Sequence, residues 1–144
     1  MLENLKAATF EVLETMFFLF PESWEEGSGL LHGPGIRAWV AIQGPNAFKV
    51  GLTVPLKMAQ EMVTNFLGIT EDQLSPEKVE DVLKEAANMV AGAFLGREGA
   101  SASFNLMPPQ VKRLNLEDEK WEDNGNHVLL AVDDYGMEVF LEKN

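Results

Sequence analysis

The spacing of hydrophobic positions predicts three helices along the chain. Apolar residues recur at helical spacing over residues 2–20, and we expect the aromatic residues of this segment to lie in the core. A second helix is predicted over residues 55–67. A third is predicted over about 76–96, where Ser75 can cap the first turn and Pro76 suits a position that needs no backbone donor.

Alternation of apolar and polar positions predicts strands between and after these helices. Residues 36–42 and 48–54 both alternate, and the glycine, proline and asparagine at 44–46 join them into a β-hairpin. The polar segments 21–35 and 117–126 are expected to be loops. Period-two patterns in the last third of the chain predict four more strands, near residues 100–107, 110–116, 127–133 and 137–142.

This order of elements predicts the fold class. Helices segregated from antiparallel strands are typical of α+β proteins, so we expect an antiparallel β-sheet packed with three main helices. No low-complexity linker or shift in composition divides the sequence, so residues 1–144 are expected to form a single domain. A chain of this length can bury a sufficient core without a metal or a disulfide.

Composition excludes several classes of function. The chain has no cysteine, so a disulfide framework, a thiolate nucleophile and a zinc–thiolate site are excluded. Its formal net charge is −12, and its basic residues are scattered, so nucleic acid and anionic membrane are not expected partners. The N-terminal segment has the features of neither an export signal nor a membrane anchor, and a cytoplasmic location is expected.

Candidate chemistry outside the third helix is sparse. His32 and His127 are the only histidines, and a lone histidine is more often a surface residue than a ligand. The acidic run at 117–119 is interpreted as a solvated loop rather than a metal site. No metalloprotease, nucleophile-elbow or P-loop motif occurs, so no group of catalytic residues supports a function as a small-molecule enzyme.

The third helix carries the most informative polar residues. At 100° per residue, Asp81, Glu85, Asn88 and Gly92 fall within an arc of about 60°, opposite a broad apolar face. Charged residues on such a face usually just contact water. Asparagine and glycine, however, are poor interior helix residues, and glycine costs roughly 1 kcal/mol relative to alanine. Small residues beside a polar pair indicate a face that another protein's backbone can approach.

These residues resemble a known motif. The run Glu-x-x-Asn-Met-x-Ala-Gly from Glu85 to Gly92 resembles the signature helix of the CheC/CheX chemotaxis phosphatases, and is most similar to CheX. A Glu-Thr-Met segment at 14–16 is similar to part of the family's first helix, and the elements follow the family's order. CheC proteins often carry a second Glu-x-x-Asn helix. The first helix here has Glu11 and Glu14 without the asparagine, which favours a single-site, CheX-like subunit.

The resemblance implies a phosphatase acting on a phosphorylated, CheY-like receiver domain in chemotaxis or another two-component system. Asn88 would position the hydrolytic water, and Glu85 would pair with the receiver's lysine. The chain would need no cofactor of its own, because Mg²⁺ is expected in the partner receiver. CheX-like subunits also imply a homodimer joined through sheet edges. The alternative is a non-catalytic adaptor of the same fold, which binds the receiver without turnover.

Overall fold

The computed structural model describes residues 1–24, 31–99 and 103–143. Within these residues, three α-helices pack against a seven-stranded antiparallel sheet, which confirms the predicted α+β class. The elements occur in the order α1 (Leu2–Met16), β1 (Glu22–Ser23), β2 (Pro34–Gln43), β3 (Phe48–Pro55), α2 (Leu56–Leu67), α3 (Pro76–Glu98), β4 (Asn105–Leu106), β5 (Gln110–Asn115), β6 (His127–Val132) and β7 (Tyr135–Lys143).

The sheet has the strand order β1-β6-β7-β3-β2-β4, with β5 also paired to β2. The predicted hairpin is present as β2 and β3. Along β2, Ile36, Ala38 and Val40 are fully buried beneath the helices, while Arg37 and Trp39 point to the opposite face and are partly exposed. The alternation therefore gives the sheet an inner face covered by helices and an outer face without them. Of the three helices, α3 contacts both others and lies over β2 and β3.

The boundaries of α3 follow from its terminal residues. Ser75 Oγ accepts a hydrogen bond from the backbone N–H of Lys78 at 3.2 Å, and Pro76 occupies the first turn. At the other end Gly99 adopts a left-handed conformation with φ of 69°, which only glycine adopts without strain. The helix thus extends to Glu98, two residues beyond the predicted end.

The end of α1 differs from the prediction. The helix stops at Met16, not at residue 20, because Phe18 turns the chain with a φ of 56°. The Leu19 backbone N–H then donates to the Leu13 carbonyl at 3.0 Å, closing the end of the helix. A left-handed conformation costs a residue with a side chain roughly 1–2 kcal/mol, so the surrounding structure must hold it.

The aromatic residues after α1 are only partly in the core. Phe17 and Leu19 are buried, and the Phe17 ring stacks on Phe66 of α2 with centroids 5.1 Å apart. The prediction that all these aromatics are core residues was wrong for Phe18 and Phe20, which are 63% and 65% exposed. Once the helix ends, the chain alternates inward and outward, so neighbouring side chains take opposite sides.

Two further predicted segments differ in extent. The strand expected at 100–107 is only Asn105–Leu106, and residues 100–102 lie outside the described residues. Within the expected loop 21–35, β1 forms at Glu22–Ser23 and β2 begins at Pro34, while residues 25–30 also lie outside the described part. Both short strands pair along an edge of the sheet, where a few residues suffice.

Candidate functional site

Glu85 and Asn88 lie on the outward face of α3. Glu85 is exposed and Asn88 is partly exposed, whereas Val82, Ala86 and Val90 of the same helix are buried. The rotational position of the helix is therefore the one that its apolar pattern predicts. Residues three apart on a helix are neighbours, about 5–6 Å between Cβ atoms, so the two side chains can act on one partner group.

Neither side chain is engaged within the protein. In the described part of the chain, Glu85 and Asn88 make no side-chain hydrogen bond and no ion pair. Asp81, one turn before Glu85, is also exposed and makes none. An amide carries both donors and an acceptor, while a carboxylate accepts only. The face therefore presents hydrogen-bonding capacity that internal packing does not use.

The glycines beside Asn88 leave this face open. Gly92 and Gly96 are exposed, and a Cβ built on either would meet nothing within 4 Å. Their φ values lie outside the left-handed region, so neither the backbone conformation nor internal packing requires glycine. Glycine in a helix interior costs roughly 1 kcal/mol relative to alanine. The glycines instead allow another molecule to approach the α3 backbone next to Asn88.

Helix α1 packs against α3. Asn4 donates a hydrogen bond to Glu98, and Glu11 pairs with Arg97 at 3.7 Å. Two positions of α1, about two turns apart, therefore contact the last turn of α3.

Exposed apolar side chains lie at and after the C-terminal end of α1. Met16, Phe18 and Phe20 are 40%, 63% and 65% exposed, and Leu67 at the end of α2 is 44% exposed. Sequence reasoning missed this surface by assigning the aromatics to the core. The signal was available, because residues 16–20 are five consecutive apolar residues, more than one helix face can bury.

A large cleft lies elsewhere in the structure. A cleft of about 710 Å³ separates α2 from the start of β7 and is lined by Lys57, Glu61, Glu71 and Tyr135, among others. Burial raises the pKa of Tyr135, and the neighbouring Glu61 carboxylate raises it further. Neither Glu85 nor Asn88 lines this cleft. The predicted site is thus an exposed helix face, the form expected for docking a protein rather than enclosing a small molecule.

The described segments hold no group of three or more His, Asp or Glu side chains placed to bind a metal ion. None of the helices in the described ranges is both long enough and apolar enough to cross a membrane.

A protein-family model matches more than half of the chain. The model for the chemotaxis phosphatase CheX matches residues 36–132, a range that includes all of α3. No curated protein matches the sequence.

Solved structures share the fold over nearly the whole chain. A chemotaxis protein CheX from Desulfovibrio desulfuricans has a TM-score of 0.73 at 16% identity, covering 99% of this chain and 97% of its own. CheX from Vibrio vulnificus has a TM-score of 0.73 at 20% identity, covering 97% and 95%. The CheX of a CheX–CheY–BeF₃–Mg²⁺ complex from Borrelia burgdorferi has a TM-score of 0.66 at 16% identity, covering 99% and 97%.

Proposed function

Because the chain belongs to the CheX family of chemotaxis phosphatases, we propose that it removes the phosphoryl group from the phospho-aspartate of a CheY-like receiver domain. The observation that carries the proposal is the unengaged amide of Asn88 on an exposed helix face, with Glu85 one turn before it and Gly92 one turn after. The Borrelia burgdorferi relative, which forms a complex with CheY, supports the choice of partner.

Asn88 is proposed to position the attacking water. Hydrolysis of an acyl phosphate needs a water held in line with the bond that breaks, and no added negative charge near the phosphoryl oxygens. The Asn88 amide meets both needs, since its oxygen accepts from the water, its NH₂ group donates, and the group is neutral. The Mg²⁺ ion is proposed to arrive with the receiver, so that the chain itself supplies only positioning.

Glu85 is proposed to fix the docked helix in register. Its carboxylate would form a charge-assisted hydrogen bond with the lysine of the receiver's active site. The spacing of one helical turn would then bring Asn88 over the phosphoryl group. The exposed glycines at 92 and 96 would let the receiver's backbone lie close to α3 beyond that point.

The test is phosphate release from a phosphorylated receiver by wild type and two variants. Asn88→Ala should lower the rate by about 10²-fold or more while keeping receiver binding, because it removes the positioned amide but little contact area. Glu85→Ala should mainly weaken binding, because it removes the lysine's partner. Glu14→Ala on α1 is the matched control and should behave like wild type.

Two outcomes decide between the enzyme and its alternative. Unchanged phosphate release by Asn88→Ala would show that the catalytic assignment is wrong. Binding of the phosphorylated receiver by wild type without any hydrolysis would favour the non-catalytic adaptor. Circular dichroism should show both variants folded, since both sites are on the outward face of α3 and alanine is the better helix former.

A homodimer is proposed through the edge of the sheet formed by β5. This six-residue strand pairs with β2 on one side, and within the described ranges no strand pairs with its other side. Unpaired strand edges promote association unless they are protected. Light scattering at high micromolar concentration should give twice the chain mass. Arg113→Pro should shift the mass toward the monomer, because the Arg113 N–H alternates with the N–H groups that face β2 and so points to the free edge. A monomeric wild type at that concentration would contradict the proposal.

A further inference from the structure

The outer face of the sheet contains a depression, or hollow, beside Gly51, with Trp39 and Phe140 among its lining residues. Gly51 lies in the middle of β3, between Trp39 of β2 and Phe140 of β7 in the strand register. A Cβ at Gly51 would stand 2.6 Å from the Ala38 carbonyl oxygen and 2.8 Å from the Trp39 Cβ, and would also collide with the Phe140 ring. Glycine at this position therefore lets the Phe140 ring pack directly over the β3 backbone, where it forms one wall of the hollow.

The aromatic wall of this hollow is held in place on two sides. The Phe140 ring stacks on His127 with centroids 5.8 Å apart, and the Arg37 guanidinium lies 5.7 Å from the ring centroid. Phe140 is only 3% exposed although it projects from the face without helices. Trp39, on the opposite wall, remains partly exposed. The hollow therefore has a rigid side and an accessible aromatic surface.

Three basic side chains line the same hollow, in a chain whose net charge is −12. Arg37 is already neutralised, because its guanidinium lies 3.4 Å from Glu119 and 3.8 Å from the buried Glu138. Lys49 and Lys112 make no ion pair with the residues that the structure describes. Their ammonium groups remain available to a ligand.

The strand register sets these charges around the hollow. Lys112 of β5 stands directly opposite Arg37 of β2, whose own charge is paired with the two glutamates. Lys49 lies at the other rim, opposite Glu142. Glu142 also lines the hollow, and its carboxylate lies 3.4 Å from the His127 Nε2 atom. The site therefore carries two free cations and one carboxylate that opposes an anion.

We propose that this depression is a binding site for a small oxyanion, a phosphate or a carboxylate group, held by Lys49 and Lys112 beside the face of Trp39. Its volume of about 140 Å³ suits one such group, whereas drug-sized ligands occupy pockets of about 300 Å³ or more. The depression is on the opposite face of the sheet from α3, so the inference does not rest on the proposed phosphatase activity.

The experiment is an NMR titration of ¹⁵N-labelled full chain at constant ionic strength, with inorganic phosphate in one arm and acetate in the other. The Trp39 indole N–H, assigned by its loss in Trp39→Phe, and the Gly51 amide should both shift and saturate. Saturation by acetate identifies a carboxylate site, and saturation by phosphate alone identifies a phosphate site. Linear, unsaturated shifts in both arms would overturn the proposal.

Charge variants give the second readout. Lys49→Gln with Lys112→Gln should weaken binding by about tenfold, and Glu142→Gln should tighten it by about threefold because it removes the repulsive carboxylate. Lys120→Gln, in an exposed loop, is the control and should bind as wild type does. Equal affinities for the double variant and this control would also overturn the proposal. Phosphate release from a receiver should be the same in all of these variants.

Discussion

Helices α1 and α3 pack against each other and carry polar pairs at the same spacing, yet only one pair is suited to phosphoryl chemistry. On α1 the pair is Glu11 and Glu14, and on α3 it is Glu85 and Asn88. The first pair would place two negative charges against a phosphoryl group, whereas the second places one charge and a neutral amide. Glu11 is also engaged by Arg97, while Glu85 makes no ion pair in the described segments.

The different polar pairs on α1 and α3 show that helix packing and the chemistry of the exposed face vary independently in this fold. The buried faces of both helices contribute to one hydrophobic core, so both satisfy the same packing requirement. Their outer faces are free to differ, because substitutions there leave the core unchanged. A single residue type, amide instead of acid, then distinguishes a candidate catalytic face from a solvated one.

The largest effect is expected from making α3 resemble α1. Asn88→Asp keeps the size of the side chain but adds a negative charge, so phosphate release should fall by about 10²-fold, as for Asn88→Ala. The reciprocal change, Glu14→Asn, gives α1 a Glu-x-x-Asn motif. Combined with Asn88→Ala, it should not restore activity, since Arg97 holds Glu11. Recovery of phosphate release in that double variant would show that the motif alone suffices.

A smaller effect is expected from closing the open part of the α3 face. Gly92→Leu should weaken binding to the receiver by about tenfold, because the new side chain occupies space that the partner's backbone needs. Thermal stability should not fall, since a Cβ at this position meets nothing within 4 Å and leucine is the better helix former. Calorimetric titration with the receiver measures the first effect, with Ala7→Leu on α1 as the matched change. An unaltered affinity of Gly92→Leu for the receiver would contradict the proposal that the glycines let the partner's backbone approach α3.

The smallest effect concerns how the two helices end. Gly99 takes its left-handed conformation without strain, but Phe18 takes a similar one with an exposed ring. Phe18→Gly should therefore stabilise the fold by up to about 1 kcal/mol, since it relieves the strain while removing little buried area. Gly99→Ala should destabilise it by a similar amount. Urea unfolding measures both, and destabilisation by Phe18→Gly would show that the ring contributes more to packing than its exposure indicates.

Local sequence signals determined most of α3 and of the candidate site. The signals that define α3 each act within a few residues: Ser75 and Pro76 at its start, Gly99 after its end, and the spacing of its apolar positions. The helix and its exposed face could therefore be predicted from the sequence. The resemblance then singled out Glu85 and Asn88, and the structure places both on that face. Their catalytic and docking roles stay predictions, because no partner is present to show what they contact.

Tertiary structure decided the features that depend on residues distant in the chain. After the end of α1, Phe17 stacks on Phe66 of α2 and its carbonyl accepts a hydrogen bond from Asn65, and no local pattern specifies these contacts. The hollow beside Gly51 needs Trp39 and Phe140 in its walls, and those residues come from strands whose register is fixed only when the sheet forms. The three helices and the longer strands were predictable from the sequence, because their signals are local, whereas β1 and the early end of α1 were not. The neighbours of each exposed side chain depended on packing across the whole chain.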